Sequence, residues 1–256
     1  MFRKMPKKNI LYLLLIFCFS INSYSQYGNY YHEIGVTIGP VLFRSDYGAR
    51  DDFKNFTNNN GISLGINYYF TPNVNFESID ENFKLRVDLN VMKVQLQHYG
   101  KYVDNEKYTL FRDQLRAMRG KLSQVSLGTQ LEYYPFKTDD YAKGAVFTPY
   151  VGLGAQINYY SVVTSSSLGA INTSISTPDK YRGAIESKND IVASLSYAVG
   201  TRIRLYDYNF LSLELSSKYY FSDYVDGVNP DRKKFKENKS NDWLNAFNVG
   251  YIYYFN

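Results

Sequence analysis

Thiols and imidazoles, which serve as nucleophiles and proton carriers in many catalytic sites, are scarce in this 256-residue chain. The chain contains a single cysteine, Cys18, and two histidines, His32 and His98. Cys18 lies in an N-terminal segment that we expect to be removed, which would leave no thiol for nucleophilic catalysis, disulfides or metal binding. We expect His32 at the start of the first predicted strand and His98 at the outer end of the third. These positions lie at opposite ends of the predicted fold, too far apart to share a site. We therefore expect a non-enzymatic protein without metal or cofactor, in which each histidine is an amphipathic side chain at a membrane interface.

The charged residues with informative spacing occupy alternate positions of otherwise apolar segments. Eight of them fall on the polar faces of predicted strands: Glu33, Arg86, Asp88, Glu132, Arg202, Arg204, Glu214 and Lys218. They are four acids and four bases, so their charges balance. Because unpaired charges are expensive inside a protein, we expect them to pair as a structural network in the lumen of a barrel. The alternative is a narrow channel, whose conductance Arg202 and Arg204 would control.

The elements that must position these residues are β-strands, because apolar and polar residues alternate along most of the chain. Eight segments show this two-residue period: 34–42, 62–70, 83–96, 125–133, 151–159, 191–205, 211–221 and 247–255. Each is near or above the roughly 9–11 residues that a tilted strand needs to cross a bilayer. The apolar face changes from odd to even positions at Val94 and Leu96, which predicts a β-bulge near Lys93.

The connections between these segments alternate between long and short. The predicted long connections are 44–60, 98–120, 164–190 and 222–241, and the short ones are 71–82, 135–146 and 206–209. An even number of strands places both termini on one side, which in outer-membrane barrels is the periplasm, with the long loops outside. The sequence therefore predicts an all-β fold, an eight-stranded antiparallel transmembrane outer-membrane β-barrel with long outer loops and shorter periplasmic turns.

A soluble barrel with an apolar interior shows the same alternation and is the alternative fold. The membrane is favoured because the polar faces are rich in Gly, Ser and Gln, and because the apolar faces end in Tyr and Phe, as in an interfacial girdle. The last strand also carries an aromatic pattern typical of the signal that the outer-membrane barrel-assembly machinery recognises. The residues of this signal are Phe247, Val249, Gly250, Tyr251, Tyr253 and Phe255. Expected partners are therefore this machinery, outer-membrane lipid and lipopolysaccharide.

The first 25 residues have the layout of a secretory signal peptide. A basic start, Met1–Lys8, precedes a short apolar run, Ile10–Phe19, and small residues suited to cleavage follow. We expect residues 1–25 to be removed and residues 26–256 to form one outer-membrane barrel domain. The alternative is a lipoprotein anchored through Cys18.

The net charge of +5 resides mostly in this leader, which contains four basic residues and no acidic one. Without it, 25 basic residues stand against 24 acidic ones (29 − 4 = 25), so bulk charge gives no reason to expect nucleic-acid binding. The mean hydropathy of −0.38 also excludes a multi-helix inner-membrane protein.

The second long loop contains a pattern typical of a short helix. Phe111, Leu115 and Met118 share one side of a helix predicted over Tyr108–Lys121, which Gly120 would end. The three arginines Arg112, Arg116 and Arg119 follow the same spacing one position later. Such a basic amphipathic helix could lie on the lipopolysaccharide surface or bind a partner. The alternative is a solvated cap on the barrel.

Two short segments match a known pattern. One is His32–Pro40 with the following Ser45–Gly48, and the other is Phe221–Asp226. The first resembles the opening strand of the PorG-like family of small outer-membrane barrels, which occur in gliding, type IX-secreting bacteria. The second resembles the TDYLDD signature at the end of the seventh strand in that family. The signature residues in this chain are Asp223, Tyr224 and Asp226. The resemblance implies an outer-membrane barrel that contacts the periplasmic ring of the secretion machinery, with no catalytic residues.

Two functions follow as hypotheses. One is a structural or accessory subunit of an envelope machine such as type IX secretion, which would meet periplasmic secretion-ring proteins through Phe70–Phe83 and Pro135–Phe147. The other is an adhesin-like barrel that binds through the second and fourth long loops. The fourth loop adds a basic cluster of Arg232, Lys233, Lys234, Lys236 and Lys239.

Overall fold

The computed structural model describes residues 31–48, 52–71, 82–104, 106, 108–136, 146–231, 233–235 and 241–255. The strands in these ranges are β1 (Tyr31–Arg44), β2 (Asn60–Thr71), β3 (Phe83–Gln97), β4 (Met118–Tyr133), β5 (Phe147–Ser166), β6 (Lys188–Tyr206), β7 (Asn209–Tyr220) and β8 (Trp243–Phe255). The helices are α1 (Phe53–Asn58) and α2 (Leu110–Ala117). Neither helix is long and apolar enough to cross a bilayer. The predicted signal peptide, residues 1–25, lies outside the described residues.

The eight strands form one closed antiparallel barrel in chain order. The barrel closes where β1 pairs with β8, with His32 opposite Phe255 and Arg44 opposite Trp243. The all-β, eight-stranded antiparallel barrel predicted from the two-residue period is therefore confirmed.

Long and short connections lie at opposite ends of this barrel. Loop 1 (45–59), loop 2 (98–117), loop 3 (167–187) and loop 4 (221–242) meet at one end, which we call the loop end. The opposite end, which we call the terminal end, holds the start of β1, the end of β8 and the connections 72–82, 134–146 and 207–208. Each loop is longer than every connection at the terminal end, as the sequence predicted.

The outer surface of the barrel is apolar. Every second side chain along each strand points outwards, and most of these side chains are Val, Leu, Ile, Tyr or Phe. Leu153 and Ile157 on β5, for example, are 66 % and 62 % exposed. An apolar exterior around a polar interior is the arrangement of membrane-spanning barrels and the reverse of a soluble barrel. The soluble alternative is therefore excluded.

Aromatic side chains flank this apolar surface at both ends. At the terminal end, the rings of Tyr68 and Phe255 lie 5.9 and 6.1 Å from the ring of His32. Tyr68 Oη and His32 Nδ1 are also hydrogen-bonded at 2.6 Å. At the loop end, Trp243 packs edge-on against Tyr219 at 5.0 Å. His32 therefore lies in an aromatic girdle, where its amphipathic ring suits an interface.

The β-bulge predicted near Lys93 is wrong. The strand β3 pairs with β4 in unbroken register along its whole length. Val94 and Leu96 point into the barrel on the same face as Lys84 and Arg86. The sequence pattern shifts because the interior changes from polar to apolar along the barrel axis, while the alternation itself continues. The lumen thus has a polar half towards the terminal end and an apolar half towards the loop end.

Candidate functional site in the lumen and loop cap

Charged side chains fill the polar half of the lumen. Glu33 on β1 is fully buried and forms ion pairs with Lys84 on β3 and with Arg202 on β6. These strands lie on different walls, so the two pairs cross the lumen. Arg202 continues the chain of charges to Glu132 on β4, with Nη2 and Oε2 3.1 Å apart.

Arg86 on β3 is the second centre of this network. Its Nη1 lies 2.8 Å from Glu132 Oε1 and 2.5 Å from Glu214 Oε2, on β7. Its Nε lies 2.8 Å from Asp88 Oδ1 on the same strand. Glu132 therefore bridges two arginines, and the ion pairs form one connected set across the barrel.

Tyrosine side chains complete the packing around these charges. Tyr134 Oη donates a hydrogen bond to Glu132 Oε2 at 2.5 Å, and Tyr150 Oη donates one to Glu214 Oε2 at 2.8 Å. Gly200 makes room for the second tyrosine, because a Cβ atom at that position would lie 2.6 Å from the Tyr150 ring. Hydrogen bonds to the remaining carboxylate lone pairs are what a buried ion pair needs in order to be tolerated.

The described ion pairs differ at three residues from the set predicted on the sequence. Lys84 belongs to them and was not predicted, although it shares the alternating face of Arg86 and Asp88. Arg204 lies closer to the terminal end of β6, where it is partly exposed. Lys218 lies nearer the middle of the lumen, with Nζ 3.5 Å from Ser126 Oγ.

Little space remains inside the barrel. Above the ion pairs, Asn67, Asp88, Ser126 and Lys218 line a cavity of about 40 Å³. That volume holds only a few water molecules at most, and it does not amount to a continuous pore.

The apolar half of the lumen is closed by packed side chains. Its buried members on the strands are Val41, Phe43, Met92, Val94, Leu96, Met118, Leu122, Tyr160, Val162, Val192, Tyr220, Leu244 and Ala246. They continue without interruption into buried residues of the loops, including Leu115, Tyr181, Ile185, Val225 and Val228. The lumen is therefore sealed twice, by ion pairs in one half and by an apolar plug in the other.

The loops fold together as a cap over this plug. Asp226 in loop 4 is fully buried, and its Oδ2 accepts a hydrogen bond from the backbone N–H of Asp46 in loop 1 at 2.8 Å. Its Oδ1 accepts another from Val228 N at 2.8 Å. Asp242 Oδ2 accepts from the backbone N–H groups of Val225 and Asp226 at 3.1 and 3.3 Å. Burial, together with the nearby charge of Asp46, raises the pKa of Asp226 well above its usual value.

Parts of the two segments that carry the family resemblance meet in this cap, because Ser45–Gly48 contacts the second segment through the hydrogen bond between Asp46 N and Asp226 Oδ2. Of the three signature residues, Asp223 and Asp226 are buried, and Tyr224 packs under Lys188, whose Nζ lies 4.4 Å from its ring centroid. Asp226 thus holds loop backbone in place, and the signature is a structural element of the cap.

His98 lies inside the cap and not at a membrane interface, which corrects the sequence-based expectation. Its ring is buried between those of Tyr47 and Tyr181, 5.0 and 5.4 Å away. Neither ring nitrogen has a hydrogen-bond partner in the described part of the chain. Burial and the positive charges of Lys180 and Arg119 lower the pKa of His98 to about 3.

Helix α2 also belongs to the cap. Thr109 caps its N-terminus by accepting a hydrogen bond from Arg112 N. Gln114 Nε2 donates to the backbone oxygens of Ser174 and Ile175 in loop 3, at 2.7 and 3.1 Å. Leu115 is buried beneath the helix. These contacts support the cap alternative over a helix that lies on a membrane.

The predicted bounds and faces of this helix need correction. It ends at Ala117, and Met118, Arg119 and Gly120 belong to β4. The three apolar residues predicted to share one side of the helix do not share one environment, since Phe111 is 44 % exposed whereas Met118 is fully buried. The three arginines also differ, because Arg112 is buried and pairs with Asp113 whereas Arg116 and Arg119 are exposed. The helical spacing of apolar residues continues into the first residues of β4, so this spacing cannot show where the helix ends and the strand begins.

The remaining predicted residues fall into two groups. On β8, Phe247, Val249, Tyr251, Tyr253 and Phe255 point outwards, and Gly250 points inwards. In loop 4, Lys233 and Lys234 are exposed, whereas Arg232, Lys236 and Lys239 lie outside the described residues. The same is true of most of both predicted partner-binding turns, since 72–81 and 137–145 are not described.

A family model described as a domain of unknown function (DUF6089) matches residues 7–256. No curated protein matches the sequence.

Solved structures that are similar to the chain share little of its sequence. Neisserial surface protein A is 14 % identical, with 88 % of this chain and 97 % of that chain covered and a TM-score of 0.48. A major outer membrane protein from Thermus thermophilus is 15 % identical, with 88 % of this chain and 99 % of that chain covered and a TM-score of 0.47. Ail of Yersinia pestis, in complex with the heparin analogue sucrose octasulfate, is 13 % identical, with 88 % of this chain and 99 % of that chain covered and a TM-score of 0.41. Likenesses of this size carry no information about function.

Proposed function

The chain belongs to the DUF6089 family, and we propose from its geometry that it is a non-enzymatic outer-membrane barrel with a closed lumen. In this proposal it serves as a structural or accessory subunit of an envelope machine. The observation that carries the proposal is the double seal of the lumen, with ion pairs between Glu33, Arg86, Glu132 and Arg202 below an apolar plug. A barrel that is filled from end to end acts through its surfaces.

The apolar exterior and its aromatic girdles support a location in the outer membrane. The proposed orientation places the terminal end in the periplasm and the loop end outside, because short turns face the periplasm in barrels of this class. Insertion would proceed through the barrel-assembly machinery, which would read the outward aromatic residues of β8. Single cysteines at Ser167 in loop 3 and at Asp207 in the tight turn test the orientation by labelling of whole cells. The proposal requires that the impermeant reagent label only the first.

The sequence resemblance points to type IX secretion and gliding as the machine in question. Two observations support this assignment. Ser45–Gly48 of the first resembling segment meets the second segment in one folded cap, and the lumen offers no pathway of its own. Contact with periplasmic ring proteins would use the connections 72–82 and 134–146, at the terminal end.

The test is crosslinking of intact cells followed by gentle detergent extraction, affinity purification and mass spectrometry. Recovery of secretion-ring proteins supports the subunit, and shortening of the 72–82 connection should then abolish it without loss of the folded barrel. Recovery of the barrel alone, under conditions that retain other envelope complexes, overturns the subunit assignment.

A second candidate function is binding of a partner through the cap. The observation in its favour is a group of exposed apolar side chains around α2 and loop 3: Tyr108 and Leu110 are 87 % and 63 % exposed, and Ile175 is 66 % exposed. Replacing Leu110 and Ile175 by Ser would abolish adhesion or surface binding in this case, while the subunit proposal expects no change in secretion.

A further inference from the structure

The outer wall of β3 and β4 carries three cations just beyond its apolar part. Lys93, Lys121 and Arg119 all point outwards. Lys93 is paired with Ser123 across the strands and Lys121 with Gln95. The two lysines are therefore diagonal neighbours, with Cβ atoms somewhat closer than roughly 7–8 Å. Arg119 precedes Lys121 by two positions on the same face, a distance of about 7 Å along a strand. The three charges therefore form one compact basic cluster.

This cluster lacks a counter-charge in the part of the chain that the structure describes. Neither Lys93 nor Lys121 takes part in a described ion pair or hydrogen bond, and the residues that line the grooves around them include no carboxylate. The Arg119 guanidinium donates to the backbone oxygens of Arg116 and Met118, at 2.5 and 2.8 Å, and these bonds leave its charge uncompensated. Like charges on neighbouring strands repel, and an anion bound between them would remove that repulsion.

An apolar groove begins directly below the basic cluster. Its outward lining residues include Ile62, Leu64, Val91, Val125 and Tyr159. The groove meets the basic cluster at Lys93 and Ile62, which line both depressions. The wall thus offers an apolar channel for a hydrocarbon chain that leads to positive charge at the level where headgroups lie.

We infer that this wall binds a phosphorylated lipid of the outer leaflet, with its phosphate on Lys93 and Lys121 and one acyl chain in the groove of Leu64 and Val91. Charge complementarity selects the phosphate, and the adjoining groove favours a lipid over a free anion. Zwitterionic lipids fit the groove equally well but neutralise the lysines less. The inference rests on the proposed outer-membrane location, because it needs the loop end to face a leaflet that contains such lipids.

The test is a native mass-spectrometry titration of the purified full-length barrel in micelles with diphosphorylated lipid A. A lysine near a membrane surface contributes about a fivefold gain in affinity for anionic lipid. The double variant Lys93→Gln/Lys121→Gln should therefore bind lipid A about thirtyfold more weakly. The control, Arg44→Gln/Lys54→Gln, removes the same charge from exposed positions on β1 and α1, outside the basic cluster, and should bind as the unchanged protein does.

Further titrations separate the possible sources of binding. Lipid A without its phosphates should bind as weakly as the double variant does, and inorganic phosphate at millimolar concentration should not displace lipid A. Equal loss in the control, unchanged binding by the double variant, or displacement by free phosphate would each overturn the inference. A heat-modifiable gel shift and insertion into vesicles are measured on the same samples. A protein that inserts into vesicles but does not prefer phosphorylated lipid A contradicts only the lipid site. A protein that fails to insert into vesicles contradicts the proposed function.

Discussion

The carboxylate of Asp226 accepts a hydrogen bond from the backbone N–H of Asp46 at 2.8 Å, across 180 positions of the sequence. This contact fastens loop 4 to loop 1 over the apolar plug. Tyr181 of loop 3 adds a further contact, because its Oη donates to the backbone oxygen of Asp46 at 3.2 Å. Three of the four loops are thus connected through one buried point, and the cap behaves as a folded part of the barrel.

Replacement of Asp226 by Ala should loosen the cap without unfolding the barrel. The backbone N–H groups of Asp46 and Val228 would lose their buried acceptor, at about 1–3 kcal/mol for each group left unsatisfied. Hydrogen exchange of these two amides should therefore accelerate, while amides of the strands keep their protection. Asp231→Ala is the control, since the Asp231 side chain is exposed and, among the described residues, accepts a hydrogen bond from Lys233 N within its own loop. Unchanged exchange at Asp46 in the Asp226 variant would show that this carboxylate does not hold the cap.

Replacement of Glu132 by Gln should destabilise the barrel strongly. Arg86 and Arg202 would each lose a carboxylate partner within a closed lumen, and breaking a buried ion pair costs about 3–5 kcal/mol. Urea unfolding in micelles measures this loss. Glu186→Gln removes an exposed carboxylate 3.9 Å from Lys188 and should change the free energy by less than about 0.5 kcal/mol. Similar stabilities of the two variants would mean that the ion pairs do not support the fold.

The apolar plug predicts different outcomes for two leucines of β4. Leu122 points inwards and is buried, whereas Leu127 points outwards and is 59 % exposed. Leu122→Ala should leave a cavity and lower the free energy of unfolding by about 2–5 kcal/mol. Leu127→Ala leaves no cavity, because detergent fills the space, so its loss should be clearly smaller. A larger loss for Leu127→Ala would contradict the inward and outward assignment of this strand.

The buried His98 should make the cap sensitive to acid. The folded cap keeps the imidazole neutral down to a pKa of about 3, whereas an opened cap takes up a proton near pH 6.5. Protons therefore favour the opened state, and cap stability falls as the pH drops from about 6.5 towards 3. In His98→Phe, whose ring suits the site between Tyr47 and Tyr181, this loss should disappear.

Hydrogen exchange of the cap amides at pH 6.5 and pH 4.5 measures this effect. The raised pKa of Asp226 acts in the opposite direction, because its protonated form is favoured in the folded cap. The difference between the unchanged protein and His98→Phe therefore isolates the imidazole. An equal acid response in both proteins would exclude His98 as its source.

The sequence was sufficient for the barrel but not for the contacts in the cap. Alternation such as that of Lys84, Arg86 and Asp88 fixes which side chains face the lumen, and all three lie in the network. The same rule, applied to the whole of β3, includes Lys84 and places Val94 inside, because the type of residue changes along this strand while the alternation continues. Loop residues have no period, so nothing in the sequence shows that His98 is enclosed by aromatic rings from two other loops.

The closed lumen is the central claim, and conductance in planar bilayers tests it most directly. Protein that is shown to be folded by its gel shift is added at defined numbers per membrane, with a large open porin as the control for membrane quality. The closed lumen predicts no discrete current steps at moderate voltages, because the ion pairs of Glu132 and the plug around Leu122 both block the path. Stable, reproducible single-channel openings of the folded protein would contradict the closed lumen and favour the narrow channel.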